Sequence, residues 1–123
     1  MRVLVVEDHP TDLKLMGAVL SMNGHIVRGT TSAEEAVDAI AAEKPDVVLL
    51  DLRLPGMDGL TLARRLKANA DTRSIPIIAV TAYPERYRRE DLLAAGCDAC
   101  IIKPIDTREL TNALEAAAER KSQ

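Results

Sequence analysis

Five polar side chains directly follow short apolar runs in this sequence, and their types could together hold a metal ion and a phosphoryl group. They are Glu7 and Asp8 after residues 3–6, Asp51 after residues 47–50, Thr81 after residues 77–80, and Lys103 after residues 100–102. If the runs are parallel strands, their carboxyl ends meet at one edge of a sheet, where ligands bind in folds of this kind. Three carboxylates, a hydroxyl and an ammonium at one edge are hard to explain by packing alone.

The three carboxylates predict a bound cation. Crowded carboxylates repel one another and would hold protons unless a cation neutralised them. Hard oxygen ligands with room for water suit Mg²⁺ or Mn²⁺ rather than zinc, because no Cys or His is placed to join them. The sequence therefore predicts a magnesium site in which Mn²⁺ could substitute.

Asp51 is the candidate nucleophile. Magnesium held by few carboxylates usually shares its coordination sphere with a phosphoryl group, and Thr81 and Lys103 are donor types that would hold the oxygens of that group. Asp51 lies at the end of the central apolar run, "VVLL", before the turn "LPGMDG". We expect its carboxylate to accept a phosphoryl group as an acyl phosphate.

The elements that must position these residues alternate along the chain. Four apolar runs are too short for helices and too continuous for half-exposed strands, so they predict strands buried on both faces. A more polar strand is predicted nearer an edge of the sheet, at residues 25–30. Helical patterns occupy the intervals, at residues 13–20, 32–43, 60–67, about 85–95, and 106–120.

Capping signals support three of these boundaries. Ser32 and Asp106 are each followed three residues later by a glutamate, as in a capping box, and Gly24 stands where the first helix should end. Strands that alternate with helices predict an α/β fold, with a parallel sheet covered on both faces.

Composition bounds the class of protein. With 123 residues and 47% hydrophobic content, the chain can bury one core but not two. The net charge of -3 disfavours binding to nucleic acid or to an anionic membrane surface. The start "MRVLVVED" is too short for a signal peptide or a membrane span, so a cytoplasmic location is expected.

The motifs "VLVVED", "LLDLRLPGMDG", "VTA" and "KPI" give the chain a family resemblance. In this order and at this spacing, it resembles the receiver domain of two-component response regulators. The likeness covers residues 1–121, in a single-domain form similar to chemotaxis regulators. It implies a flavodoxin-like (βα)5 fold, in which a doubly wound five-stranded parallel sheet has the order 2-1-3-4-5.

The resemblance also implies roles for the site residues. Asp51 would be the phosphoacceptor, Asp8 a direct Mg²⁺ ligand, and Glu7 an acid that acts through a metal-bound water. The backbone carbonyl of Arg53 would complete the metal ligands. In such a domain, Thr81 and Lys103 would contact the phosphoryl oxygens, and the peptide between Lys103 and Pro104 would be cis.

The resemblance implies a signalling role rather than a stand-alone enzyme. The domain would assist its own phosphorylation and dephosphorylation, with a phosphohistidine on a sensor histidine kinase or a histidine phosphotransfer protein as donor. Output would pass to a downstream protein through the fourth and fifth helices and the last strand. A phosphorylation-dependent dimer is possible in this family, and neither nucleic acid nor membrane is an expected partner.

Three positions depart from the family or vary within it. Cys100 stands where receivers usually carry Phe or Tyr, so switching is expected in the loop after the fourth strand, including Tyr83 and Pro84, rather than in the fifth strand. Arg53 and Tyr83 occupy variable positions that tune the phosphate lifetime. Tyr83 or Tyr87 could replace the missing aromatic residue.

Alternative interpretations concern both the domain and single residues. A pseudo-receiver would bind partners without phosphorylation. A haloacid dehalogenase-like phosphohydrolase needs a second acid where this chain has Arg53. The C-x-x-C pair Cys97 and Cys100 could serve redox or metal chemistry but is better explained by packing, and His9 is better explained as a loop residue beside the site. The segment "ERYRRED" is either a docking surface or a solvated helix face.

Overall fold

Five strands alternate with five α-helices in this computed structural model, which describes residues 1–122 and the side chains of residues 1–119. The elements are β1 (Arg2–Val6), α1 (Pro10–Met22), β2 (Ile26–Thr30), α2 (Ala33–Ala42), β3 (Val47–Asp51), α3 (Gly59–Ala68), β4 (Ile77–Thr81), a 3-10 turn (Pro84–Arg86), α4 (Arg89–Ala94), β5 (Ala99–Ile102) and α5 (Thr107–Ser122). Within the described residues, none of the helices has both the length and the apolar character needed to cross a membrane.

The strands form one parallel sheet in the order β2-β1-β3-β4-β5, which confirms the predicted fold. The polar strand β2 lies at an edge, as expected. The prediction that residues 100–102 are buried on both faces is wrong. They belong to β5, the other edge strand, where Ile102 is 50% exposed.

Helices cover both faces of the sheet because successive side chains of a strand point to opposite faces. Leu4 and Leu50 pack on the side of α2, α3 and α4, whereas Val5 and Leu49 pack on the side of α1 and α5. Both faces are therefore filled by core side chains. The carboxyl ends of the strands remain as the place for polar chemistry.

Side-chain caps fix the helix starts that position this edge. Ser32 Oγ accepts a hydrogen bond from the Glu35 backbone N–H at 3.1 Å, and Asp106 Oδ1 accepts one from Glu109 N–H at 3.2 Å, as predicted. Gly24 follows the end of α1 with φ +83°, a left-handed conformation that favours glycine. The second acid of the segment after β3, Asp58, caps α3 by accepting a hydrogen bond from Thr61 N–H at 2.9 Å.

The helix predicted at about 85–95 is shorter than expected. A 3-10 turn ends at Arg86, and α4 begins only at Arg89. Tyr87 and Arg88 between them have extended backbone. The half-buried Tyr87 side chain packs against the core on the α2, α3 and α4 side, a tertiary contact that the local helical pattern does not encode.

Two glycines give a stability prediction for this fold. A Cβ on Gly59 would lie 2.5 Å from the carbonyl oxygen of Asp51, whereas a Cβ on Gly17, inside α1, meets nothing within 4 Å. Gly59→Ala should therefore destabilise the protein by about 1–3 kcal/mol, because α3 must move away from the end of β3. Gly17→Ala should stabilise it by about 0.5–1 kcal/mol, because alanine favours the helix. Urea unfolding of both variants tests this, and equal effects would contradict it.

Candidate functional site

Three carboxylates converge at the carboxyl edge of the sheet. Glu7 and Asp8 follow β1, and Asp51 ends the neighbouring strand β3, so one ligand oxygen of each lies within 4.8 Å of the others. Glu7 is 0% exposed and Asp51 is 6% exposed, whereas Asp8 faces solvent. The structure thus brings together the three acids that the sequence singled out.

Lys103 places an ammonium group among these acids. Its Nζ lies 2.7 Å from Glu7 Oε1 and 3.4 Å from Asp51 Oδ2. Thr81 is buried at the end of β4, and its backbone carbonyl accepts a hydrogen bond from Lys103 N–H at 2.8 Å. All five predicted residues therefore lie at one edge, and the peptide before Pro104 is cis, as the family resemblance implies.

Arg53 and Tyr83 form the rim on the β3 and β4 side. The Arg53 backbone N–H donates a hydrogen bond to Asp51 Oδ1 at 3.0 Å, and its guanidinium lies 4.7 Å from the centre of the Tyr83 ring. Arg86 lies 5.1 Å from the centre of the same ring. The Tyr83 N–H donates a hydrogen bond to Thr81 Oγ1 at 2.9 Å. The predicted metal contact of the Arg53 carbonyl remains a prediction.

Asp12 is a fourth carboxylate that the sequence reasoning missed. It lies in the first turn of α1, and its Oδ2 is 3.0 Å from Lys103 Nζ. The ring of His9 is exposed beside the site, with Nδ1 3.6 Å from the same oxygen, and the backbone N–H of His9 donates to Glu7 Oε2 at 3.1 Å. The signal that could have found Asp12 is its place in the first turn of the helix that directly follows Glu7 and Asp8.

Burial and crowded charges shift the pKa values of Glu7 and Lys103 in this cluster. Burial, together with the neighbouring Asp51, raises the pKa of Glu7 to about 7, although hydrogen bonds from Lys103 and His9 act in the opposite direction. Burial lowers the pKa of Lys103, but hydrogen bonds to Glu7 and Asp12 and the charge of Asp51 outweigh it, so that this pKa is raised. Lys103 is therefore a permanent cation at neutral pH.

The donor set fits magnesium. The converging ligand atoms of Glu7, Asp8 and Asp51 are all carboxylate oxygens, and within the described side chains no Cys or His belongs to this cluster. Magnesium prefers such hard ligands and keeps several waters, which the exposed Asp8 side of the cluster permits. The cleft above the acids has a volume of about 880 Å³ and is lined by Asp8, Asp12, Asp51 and Lys103, among others.

Comparison with known proteins identifies the family. The model of the response regulator receiver domain matches residues 3–115. The chain belongs to the response regulator receiver family. It is similar to the polar-differentiation response regulator DivK of Brucella ovis, with 37% identity over 103 residues that cover 84% of each chain.

Solved structures give the same result for the fold. A receiver domain protein (CheY-like) from Methanospirillum hungatei JF-1 matches with a TM-score of 0.87 and 29% identity, over 98% of this chain and 96% of that one. The receiver domain of sensor histidine kinase PA1611 from Pseudomonas aeruginosa PAO1 matches with a TM-score of 0.85 and 33% identity, over 94% of each chain. In that protein a magnesium ion is coordinated in the active-site cleft.

The two cysteines of this receiver domain pack with hydrophobic side chains of the core. Burial raises the pKa of Cys97 to about 11, and burial with the nearby Glu109 charge raises the pKa of Cys100. Cys97 belongs to the core, and Cys100 packs against it from β5, beside a cavity of about 160 Å³. Raised thiol pKa values favour the structural interpretation over redox chemistry.

The pKa of Glu7 predicts how stability depends on pH in the absence of metal. Its folded pKa of about 7 lies above the ordinary value of 4.5, so the folded state holds a proton that the unfolded state has lost between these pH values. Stability should therefore fall as the pH rises through this window, by up to about 3 kcal/mol. Glu7→Gln should remove this fall, because glutamine does not titrate.

Urea unfolding of wild type and Glu7→Gln at pH 5 and pH 8, with a chelator present, measures the effect. An equal change in both proteins would show that Glu7 is not its source.

Proposed function

We propose that this receiver domain is a phosphorylation-activated switch that accepts a phosphoryl group on Asp51 from a phosphohistidine donor. The observation that carries the proposal is the buried Asp51 carboxylate, held between the Arg53 N–H at Oδ1 and the Lys103 ammonium at Oδ2. A sensor histidine kinase or a histidine phosphotransfer protein would supply the group. The protein would assist this transfer and the later hydrolysis without being a stand-alone enzyme.

The chain's own residues support each part of that transfer. Burial and the Arg53 hydrogen bond fix the orientation of the Asp51 carboxylate, which favours a near-attack geometry. The Lys103 ammonium would stabilise the negative charge that develops on the phosphoryl oxygens, and the Thr81 hydroxyl would donate a hydrogen bond to them. Asp8, Asp51 and Glu7 would hold Mg²⁺, which neutralises phosphoryl oxygens when it is bound.

Arg53 favours a phosphoacceptor over a phosphohydrolase. A haloacid dehalogenase-like enzyme needs a carboxylate two residues after the nucleophile to act as acid and base. Here that residue is an arginine whose guanidinium stacks on Tyr83. Since this position offers no proton acceptor, turnover of phosphoesters is not expected.

The output surface is proposed from exposed apolar side chains. Leu93 of α4 is 57% exposed and Ile102 of β5 is 50% exposed, on neighbouring elements of the predicted output face of α4, β5 and α5. Such side chains are suited to contact with a downstream protein or with a second phosphorylated copy. A cytoplasmic location is part of the same proposal.

The phosphoacceptor assignment is tested by intact mass. Incubation with acetyl phosphate and Mg²⁺ should add one phosphoryl group that is labile to hydroxylamine, as acyl phosphates are. Asp51→Asn should abolish the addition, whereas Asp38→Asn, which changes an exposed acid of α2, should not. Stoichiometric labelling of Asp51→Asn at another residue would refute the assignment.

The metal assignment is tested by thermal unfolding. Mg²⁺ that binds only the folded state should raise the melting temperature with increasing concentration. Asp8→Ala should remove this rise, because the variant lacks a ligand, and Asp38→Ala should retain it. An unchanged rise in Asp8→Ala would place the ion elsewhere.

A further inference from the structure

Lys103 is held from two sides before any phosphoryl group arrives. Its ammonium lies 2.7 Å from Glu7, which follows β1, and 3.0 Å from Asp12 of α1. Its longest contact is with Asp51, at 3.4 Å. The side chains of Lys103 and Asp12 are 13% and 26% exposed, so the pair is shielded more than an ordinary surface ion pair. Asp12 thus joins α1 to the end of β5.

An ammonium group has three N–H donors, and lysine carries them on a flexible four-carbon stem. Ion pairs with Glu7 and Asp12 hold the ammonium from two sides, and in this position it donates a hydrogen bond to Asp51 Oδ2 at 3.4 Å. Without Asp12, the ammonium keeps the buried Glu7 as its close partner and can rotate away from Asp51 toward the open cleft. The carboxylate of Asp12 therefore restricts the ammonium to the place where the phosphoryl group must form.

Asp12 is also independent of the predicted metal ligands. The carboxylates that converge on the cation site are those of Glu7, Asp8 and Asp51, and Asp12 lies outside this group. When Glu7 and Asp51 interact with a bound cation, Asp12 is still available to pair with Lys103. Among the described side chains, the imidazole of the exposed His9 also lies near it, with Nδ1 3.6 Å from Asp12 Oδ2.

We propose that Asp12 is a positioning residue that aims the Lys103 ammonium at the phosphoryl group on Asp51. The inference rests on the proposed phosphoacceptor function. It adds a carboxylate of α1 to the machinery and makes the identity of residue 12 a determinant of the transfer rate.

The test compares Asp12→Ala, Asp12→Asn and the surface control Asp38→Ala in the rate of phosphorylation by acetyl phosphate with saturating Mg²⁺. Asp12→Ala should slow the reaction roughly tenfold, because the ammonium is no longer held in place. Asp12→Asn should recover most of the rate, since its amide oxygen can still contact the ammonium, and Asp38→Ala should match wild type. A rate for Asp12→Ala equal to or above that of wild type would overturn the inference, as would an asparagine variant as slow as the alanine variant.

A second readout uses the metal-free, unphosphorylated protein. Asp12→Ala should lower the melting temperature in the wild-type background and have little effect in a Lys103→Gln background, because the partner is then absent. Equal decreases in both backgrounds would show that Asp12 acts without Lys103 and would overturn the inference.

Different results would contradict the phosphorylation of Asp51 and the positioning role of Asp12. If wild type gains no phosphoryl group, or Asp51→Asn gains one equally well, the proposed function fails. If wild type is labelled at Asp51 and Asp12→Ala is labelled equally fast, only the role of Asp12 fails.

Discussion

Two carboxylates lie side by side in a buried position at the carboxyl edge of the sheet, and the ammonium of Lys103 lies between them. Glu7 and Asp51 would repel each other strongly in so dry a place, and a buried charge without a partner is costly. Lys103 offsets this repulsion in the metal-free state by contacting both acids. The pKa of Glu7 is nevertheless raised, first by burial and then by the neighbouring Asp51. Crowded, buried carboxylates of this kind are the physical reason that this edge should favour a divalent cation.

The backbone near Asp51 is organised to keep this arrangement rigid. The Leu52 carbonyl accepts a hydrogen bond from Gly59 N–H at 3.0 Å, and the missing side chain of Gly59 lets α3 begin against the end of β3. Asp58 then caps α3 instead of joining the metal cluster. The two acids that bracket the segment after β3 thus have different places, since Asp51 faces the cluster where it would carry the proposed chemistry and Asp58 fixes the loop beside it.

The strand-end residues could be predicted because parallel strands of similar length must bring their carboxyl ends to the same edge. That rule needs only the apolar runs, and it placed Glu7, Asp51 and Thr81 correctly. The contact between Asp12 and Lys103 could not be predicted in this way, because it depends on the rotation of α1 about its axis and on the path of a long side chain. The exposure of Ile102 depends on the edge position of β5, which its four residues do not encode by themselves and which only the family resemblance implied.

The departure at Cys100 bears on how a signal would leave the proposed site. Cys100 lies opposite Ala79 of β4, so small side chains meet where a large ring is usual in the family. The loop after β4, by contrast, is tied to the site directly, because the Tyr83 N–H donates to the hydroxyl of Thr81. The Thr81 hydroxyl can accept from the Tyr83 N–H and donate to a phosphoryl oxygen at the same time. A movement of this hydroxyl toward a phosphoryl group would therefore be passed to the Tyr83 backbone, whose ring contacts Arg53 and Arg86. A ligand shifts a conformational equilibrium only through contacts that differ between the two states, and in this chain we expect those contacts to lie in the loop after β4 rather than in β5.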